Sequence, residues 1–265
     1  MRLAFSTLGV PGTPLPEVLQ LARDHRFHGV ELRVHPEEPV NLDLGPAQRR
    51  DVVEEFADSG VRPLALAGYA RVAAPGDDGP VVEELDRLLE LAHDLGVDRV
   101  RVFPGGDAED PEGGDEAAVR RLTQVAPLAS RYGVRLLWET HDSHRTGADA
   151  ARVLSRVGHP SVGALWDVLH TWRGGEQPET SLRWLAPYLD YVQVKDVASA
   201  EDLTPLRPGR GVLPLGEVLE LLTRLDWDGW LCWEYEARWF PEVPPLAEGL
   251  PEVRDHLLRL LASSA

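Results

Sequence analysis

The sequence predicts a single (β/α)8 TIM barrel, a fold of the α/β class, and three features support this prediction. The chain has 265 residues, a length that fits one barrel of this kind. Short apolar runs alternate along the chain with longer segments of helical period, which is typical of repeated βα units. The units average about 33 residues, the size expected for a compact barrel. We therefore expect residues 1–265 to form one domain.

Each unit pairs a short strand with a helix. We expect the strands at residues 2–8, 29–34, 61–68, 99–103, 135–140, 162–166, 191–195 and 230–235. We expect the helices near residues 15–26, 46–59, 81–95, 115–132, 146–157, 181–189, 215–225 and 248–262. Asp115 and Thr146 are candidate N-caps, because short polar side chains accept hydrogen bonds from the free N–H groups of a first helical turn. Four glycines, at positions 60, 96, 133 and 158, follow helix ends, where glycine readily adopts the left-handed conformation.

Composition narrows the class of protein. The formal net charge is -17, which argues against a protein that binds nucleic acid phosphates or anionic lipid. No apolar run reaches the length of a membrane span, and Cys232 is the only cysteine, so an intrachain disulfide is excluded. These features predict a cytoplasmic protein with no nucleic acid or membrane partner.

The basic residues carry a further signal. Lys195 is the only lysine among 27 basic residues, and all the others are arginines. Lysine and arginine differ in size, hydration and ease of pKa shift. We therefore expect Lys195 to occupy a position where arginine cannot replace it.

Acidic and polar side chains collect at the ends of the later strands. In a TIM barrel the reacting groups lie at the C-terminal ends of the strands. The groups that the alternation of side chains places there are Glu139, Asp167, Gln193 and Glu234. Buried carboxylates at close range repel one another unless they share a proton or a cation. A divalent metal is the simplest explanation for this set, although each acid alone could be an ordinary cap or solvated residue.

A second polar layer is expected deeper in the barrel. Glu31 and Arg33 share one face of the second strand, and Arg101 can face the interior from the fourth. We expect these residues to form buried salt bridges with a structural role.

Five motifs carry a resemblance to a known family. They are WETHD, ALWDVLHTW, YVQVKD, a Gly-Arg-Gly loop at 209–211 followed by VLPLGEVLELL, and WLCWEYEARWFPE. This order resembles the sugar phosphate isomerase/epimerase family, within the xylose isomerase-like TIM barrel (AP endonuclease 2) superfamily. Tagatose and psicose epimerases, hydroxypyruvate isomerases, inosose isomerases and dehydratases, and endonuclease IV share that superfamily. The similarity covers nearly the whole chain and is strongest over residues 135–242.

The resemblance implies one divalent metal ion, held by Glu139, Asp167 and Glu234. The fourth family ligand is usually a histidine, and Gln193 stands at that position. An amide oxygen is a neutral and weaker ligand, so we expect a preference for Mn²⁺, Mg²⁺ or Co²⁺ over Zn²⁺. Alternatively, the metal site is degraded.

The resemblance also implies the chemistry. We expect an isomerase or epimerase of a small sugar, sugar phosphate or keto-polyol, in which Glu139 and Glu234 move a proton at a carbon next to a carbonyl through an enediolate. His170 matches a family histidine that contacts substrate, and Lys195 is a further catalytic candidate. The substrate-binding candidates are His35, Tyr69, His141, Trp172 and Arg210.

Three other functions stay open at this point. A dehydratase of the inosose or dehydroshikimate type uses the same scaffold, and Lys195 suits loss of water. A DNA-repair endonuclease fits poorly with the net charge. A metal-free barrel that only binds a ligand would explain Gln193. The oligomeric state is also open, with a dimer or a tetramer among the alternatives.

Overall fold

A computed structural model of the chain describes residues 1–264. The barrel strands are β1 (Arg2–Ser6), β2 (Gly29–Arg33), β3 (Arg62–Arg71), β4 (Arg99–Phe103), β5 (Arg135–Glu139), β6 (Val162–Asp167), β7 (Leu189–Val194) and β10 (Trp230–Trp233). The helices are α1 (Leu15–Asp24), α2 (Pro46–Ser59), α3 (Asp78–Leu95), α4 (Pro111–Tyr132), α5 (Gly147–Val157), α6 (Val168–Arg173), α7 (Pro178–Leu185), α8 (Leu215–Arg224) and α9 (Leu246–Ser264). The eight strands close in the order β1-β10-β7-β6-β5-β4-β3-β2, all parallel. The predicted (β/α)8 barrel is confirmed.

Two elements were not expected from the sequence. The six-residue helix α6 begins directly after β6, where the side chain of Asp167 accepts a hydrogen bond from the backbone N–H of Leu169. The strands β8 (Asp196–Val197) and β9 (Pro205–Leu206) pair antiparallel as a short hairpin after β7. Both elements lie at the C-terminal end of the barrel, where loops carry function in this fold.

Helix boundaries follow cap chemistry more than apolar period. The N-cap prediction for Thr146 is confirmed, because its hydroxyl oxygen accepts from the N–H of Asp149. The N-cap prediction for Asp115 is wrong: α4 begins at Pro111, and Asp110 caps it. Proline suits the first helical position because its missing N–H would have no partner there.

Asp115 has a different partner set. It lies inside α4 with 4% exposure. Its carboxylate accepts from Arg152 on α5 and lies 2.8 Å from Nε2 of His144. This cluster ties the loop after β5 to two helices. The four predicted glycines do end helices with positive φ, between 58° and 71°.

The interior of the barrel is filled by side chains in layers. The lower apolar layer consists of Ala4, Leu64, Ala65, Leu137, Leu165, Tyr191, Trp230 and Cys232, all buried. A larger apolar core fills the space between the strands and the surrounding helices. The layer above the lower one is polar, and it contains the candidate site. Among residues 1–264, no helix is both long and apolar enough to span a membrane.

A fully buried arginine fastens the loop after β3. Arg121 on α4 donates to the carbonyl oxygens of Val72 (3.1 Å), Ala74 (2.6 Å) and Gly76 (2.8 Å). Its Nε also donates to the carboxylate of Asp78 at 2.7 Å. One side chain therefore supplies hydrogen-bond donors to several carbonyl groups of this turn.

The substitution Arg121→Met is expected to lower the free energy of unfolding by about 3 kcal/mol, because it leaves buried acceptors without donors. Urea unfolding followed by circular dichroism measures this change. The matched control is Arg120→Met, because Arg120 binds the same Asp78 from the same helix but is 54% exposed. We expect the control to be nearly neutral, and equal losses in the two variants would contradict the role of Arg121.

Candidate functional site

Strands β5, β6, β7 and β10 deliver the predicted site residues to one end of the barrel. Glu139 is the last residue of β5, and Asp167 is the last residue of β6. Asp167 and Gln193 are register partners on neighbouring strands, and Glu234 follows β10 directly. All four side chains are buried, with exposures of 5% or less. The structure therefore brings the predicted metal-ligand set into the polar layer.

The ammonium group of Lys195 lies among three carboxylates. Its Nζ is 2.7 Å from Oδ2 of Asp167 and 2.9 Å from Oε1 of Glu236, and it donates to Oε2 of Glu234. Burial alone would lower the pKa of Lys195, but the three carboxylates outweigh burial and raise the pKa well above its usual value. The charged form of Lys195 is therefore favoured inside the site.

Glu139 lies beside a buried arginine. Nε of Arg101 is 3.2 Å from Oε2 of Glu139. Burial raises the pKa of Glu139 to about 8, although the charges of Arg101 and His141 act in the opposite direction. Neither Nε nor Nη1 of Arg101 has a well-directed hydrogen-bond acceptor, and Oε2 of Glu139 has no donor. Arg101 thus has N–H groups, and Glu139 an oxygen, that could form hydrogen bonds to a ligand.

Two histidines complete this side of the site. The rings of His141 and His170 are 3.9 Å apart between centroids. Burial lowers the pKa of His170 well below its usual value, and the neighbouring His141 adds to the shift. Burial would also lower the pKa of His141, but the charge of Glu139 outweighs it and raises that pKa. The two imidazoles therefore favour different protonation states.

Aromatic rings form a continuous arc around the mouth of the barrel from β2 to β6. Successive centroids are 5.8 Å apart for His35 and Tyr69, 5.8 Å for Tyr69 and Phe103, and 4.6 Å for Phe103 and His141. The arc ends at His170. The guanidinium of Arg101 lies over the ring of Phe103 at 3.9 Å. This arc offers flat apolar contact area next to a buried positive charge.

The donor set fits a divalent cation. The buried oxygens Oε2 of Glu139 and Oε1 of Gln193 receive no hydrogen bond, and buried acceptors without donors are uncommon unless a ligand or ion satisfies them. Among residues 1–264, ligand atoms of Glu139, His141 and His170 also converge within 4.8 Å of one another. Asp167 and Glu234, by contrast, contact the ammonium of Lys195. Glu139 thus belongs to two candidate donor sets, one with the predicted ligands and one with the histidines.

The structure separates the substrate-binding candidates. His35, Tyr69 and His141 lie in the aromatic arc. Arg210 is 68% exposed and pairs with Glu252 on α9, so it does not join the polar layer. Trp172 on α6 is half-buried and packs against the core.

Two of the three residues expected in a deep layer of salt bridges, Arg33 and Arg101, form buried ion pairs. Arg33 pairs with Glu38, at 2.6 Å, and not with Glu31. Glu31 accepts hydrogen bonds from Tyr191 and Gln193. Glu38 lies in the loop after β2, where strand alternation no longer applies, so the sequence did not indicate it as a partner.

Three residues of the site were not identified as such from the sequence. Arg101 was expected to be structural, and Phe103 and Glu236 were not among the candidate site residues. The position of Phe103 at the end of β4 was a usable signal, since strand ends face the site in this fold.

Comparisons with known proteins agree with this fold. A family model described as a xylose isomerase-like TIM barrel matches residues 19–260. The 3-dehydroshikimate dehydratase of Bacillus anthracis is 23% identical over 215 residues, which is 76% of each chain. The crystal structure of the probable 3-DHS dehydratase AsbF from the same organism superposes with a TM-score of 0.82 at 19% identity, covering 97% of this chain and 99% of that one.

Two further solved structures share the fold. The IOLI protein with a bound zinc atom has a TM-score of 0.83 at 20% identity and covers 100% of this chain and 99% of its own. The D-psicose 3-epimerase of Clostridium cellulolyticum has a TM-score of 0.83 at 15% identity, and the match covers 98% of this chain and 99% of that one. The relatives and structural neighbours thus include dehydratases and an epimerase. With the family match over nearly its whole length and the closed parallel barrel, this chain belongs to the xylose isomerase-like TIM barrel family of enzymes.

Proposed function

We propose that the chain catalyses loss of water from a small hydroxylated keto acid of the 3-dehydroshikimate class. The observation that carries the proposal is the buried guanidinium of Arg101, whose Nε and Nη1 have no well-directed acceptor. Arg101 forms an ion pair with Glu139 at 3.2 Å, but buried N–H groups without directed acceptors favour a further ligand that can accept from them, and a planar guanidinium matches a carboxylate in geometry. The named activity of the Bacillus anthracis relative supports the same substrate class.

The chain's own residues can divide the work of dehydration. Arg101 binds the carboxylate of the substrate, and the aromatic arc packs against its ring. Lys195 donates two of its three N–H groups to Glu234 and Glu236. The third can donate to the oxygen on which negative charge develops when a proton leaves the neighbouring carbon, since Oδ2 of Asp167 receives no directed hydrogen bond. The three carboxylate partners of Lys195 hold the ammonium in place and keep it charged.

Glu139 moves the proton, because its Oε2 has no hydrogen-bond donor. The C–H bond next to the keto group breaks, and its proton passes to the carboxylate of Glu139, whose ionised form is favoured by the charges of Arg101 and His141 against the effect of burial. The electron pair then forms a carbon–carbon double bond as the C–O bond to the neighbouring hydroxyl breaks. Glu139 returns the proton to the departing hydroxyl, and water leaves with no net oxidation or reduction.

A divalent cation bound by Glu139, Asp167, Gln193 and Glu234 would supply Lewis acidity at the keto oxygen. The oxygen-rich donor set favours Mn²⁺, Mg²⁺ or Co²⁺ over Zn²⁺.

Isomerisation or epimerisation of a sugar or keto-polyol is the second candidate. In strand order, Glu139 and Glu234 flank Asp167 and Gln193, so one acid stands on each side of the set. This arrangement suits removal of a proton from a substrate carbon and its return either to a neighbouring carbon or to the opposite face of the same carbon. The D-psicose 3-epimerase neighbour supports this second hypothesis at the level of the fold.

A substrate panel separates the candidates. Enzyme loaded with Mn²⁺, Mg²⁺, Co²⁺ or Zn²⁺ is incubated with 3-dehydroshikimate, an inosose, hydroxypyruvate and D-psicose, and proton NMR scores loss of water against isomer formation. We expect water loss from 3-dehydroshikimate, with Glu139→Gln inactive on every substrate. Epimer or isomer formation alone would support the second candidate, and saturable binding without turnover would support a ligand-binding barrel.

A further inference from the structure

Glu31 is a buried acid that has no part in the proposed chemistry. It lies on β2 with 0% exposure, and its main contacts are with β7, on another side of the barrel. The hydroxyl of Tyr191 donates to Oε2 of Glu31 at 2.5 Å, and Nε2 of Gln193 lies 3.0 Å from the same oxygen. A buried carboxylate costs free energy unless polar partners compensate. Packing alone therefore does not explain a carboxylate at this position.

The side chain of Gln193 has one orientation that suits its neighbours. Nε2 donates to Glu31, and it also donates to Oε1 of Glu234 at 3.1 Å. With the amide turned around, its oxygen would face the carboxylate oxygens of both acids and would repel them. In the observed orientation both hydrogens of the amide nitrogen have acceptors, and Oε1 remains without a donor.

Tyr191 supports this arrangement from the layer below. Burial and the charge of Glu234 raise the pKa of Glu31, whereas Arg101 and the hydroxyl of Tyr191 lower it. A protonated Glu31 still keeps one oxygen that accepts from Gln193. The orientation of the amide therefore holds in either state of Glu31.

We propose that Glu31 is a positioning residue that fixes the amide nitrogen of Gln193 and thereby presents the amide oxygen of Gln193 as a cation ligand. An amide ligand needs such a partner more than a histidine does, since its two ends differ only in one being a donor and the other an acceptor. Outer-shell partners of metal ligands commonly act in this way. The inference depends on the metal site of the proposed function and not on the choice of substrate.

The test is Mn²⁺ binding by isothermal titration calorimetry with full-length protein, in the backgrounds of the native chain and of Gln193→Met. We expect Glu31→Leu to weaken Mn²⁺ binding about tenfold in the native background. In the Gln193→Met background, the same change is expected to have less than about a twofold effect. The electron paramagnetic resonance spectrum of bound Mn²⁺ gives a second readout, because loss of the amide ligand changes the symmetry of the site.

Two further variants distinguish an effect on Mn²⁺ binding from an effect on folding. Tyr191→Phe leaves the carboxylate of Glu31 in place but removes the hydroxyl that holds it, and we expect a weakening of about threefold. Asp190→Asn is the matched control, since Asp190 lies at the other end of β7 and pairs with Arg99 and Arg135. It is expected to leave Mn²⁺ affinity unchanged.

The double-mutant comparison decides the result. Equal losses from Glu31→Leu in both backgrounds would overturn the inference, because Glu31 would then act on the site without Gln193. Absence of Mn²⁺ binding to the native chain, or native affinity in both Glu31→Leu and Tyr191→Phe, would overturn it as well. Failure of turnover on every substrate, with these affinities as expected, would count against the proposed function alone.

Discussion

Replacing Lys195 with methionine is expected to lower kcat for dehydration by about 10²- to 10³-fold, the effect of removing a fixed donor to a developing negative charge. The ammonium is 3% exposed and contacts three carboxylates. Steady-state kinetics on the substrate identified by the panel measures the loss.

The same substitution should move metal affinity in the opposite direction. Lys195 is a positive charge in contact with Asp167 and Glu234, two of the proposed ligands. Its removal frees both carboxylates and reduces repulsion toward a cation. We therefore expect Mn²⁺ to bind as tightly as before or more tightly, so slow turnover would not reflect an empty site.

Lys195→Arg is the informative control. Arginine keeps the charge, but its planar guanidinium is larger than an ammonium, and the side chain of Lys195 is buried. We expect its kcat to remain at least about tenfold below that of the native enzyme. If kcat of Lys195→Met fell by less than about fivefold, with the fold verified by circular dichroism, Lys195 would have only a structural role as a counter-charge for the carboxylates.

The sequence was sufficient for the fold and for the strand-end residues because both follow periodic rules. Alternation along the strands placed Glu139, Asp167, Gln193 and Glu234 on one interior layer, and the structure puts them there. The rarity of lysine pointed to Lys195 in the same way. These signals are local, since each depends on a residue's position within its own strand and not on a partner elsewhere.

Partners across the barrel could not be predicted, because they depend on rotamers and on distances between distant strands. Glu31 and Gln193 are 162 residues apart in sequence, and no pattern within either strand indicates that they touch. The loops posed a similar difficulty. Arg210 looked like a substrate ligand in a glycine-rich loop, but its guanidinium pairs with Glu252 on the last helix.

The largest effect on substrate selection is expected from Arg101→Met. A hydrogen bond to a charged group contributes about 1.5–3 kcal/mol, so kcat/KM for 3-dehydroshikimate should fall about 10- to 100-fold. For the methyl ester of the same substrate, which has no carboxylate, the part of the loss that comes from carboxylate binding should be absent. The measurement is therefore the ratio of kcat/KM for the acid and the ester.

This ratio is needed because Arg101 has a second neighbour in the site. Its Nε lies 3.2 Å from Oε2 of Glu139, so removing the guanidinium also raises the pKa of that acid and alters proton transfer for every substrate. Such a change affects acid and ester alike, and it cancels in the ratio. Carboxylate recognition does not cancel, because the ester lacks the charge.

Arg33→Met is the matched control for loss of a buried arginine. Arg33 lies 5.4 Å from the centroid of the Tyr69 ring, but Tyr69 and Glu38 already accept from its Nε and Nη1. We expect Arg33→Met to lower stability while leaving the acid-to-ester ratio at its native value. If Arg101→Met also preserved the ratio, the unpaired donors would not bind a carboxylate, and a neutral polyol would become the better substrate class.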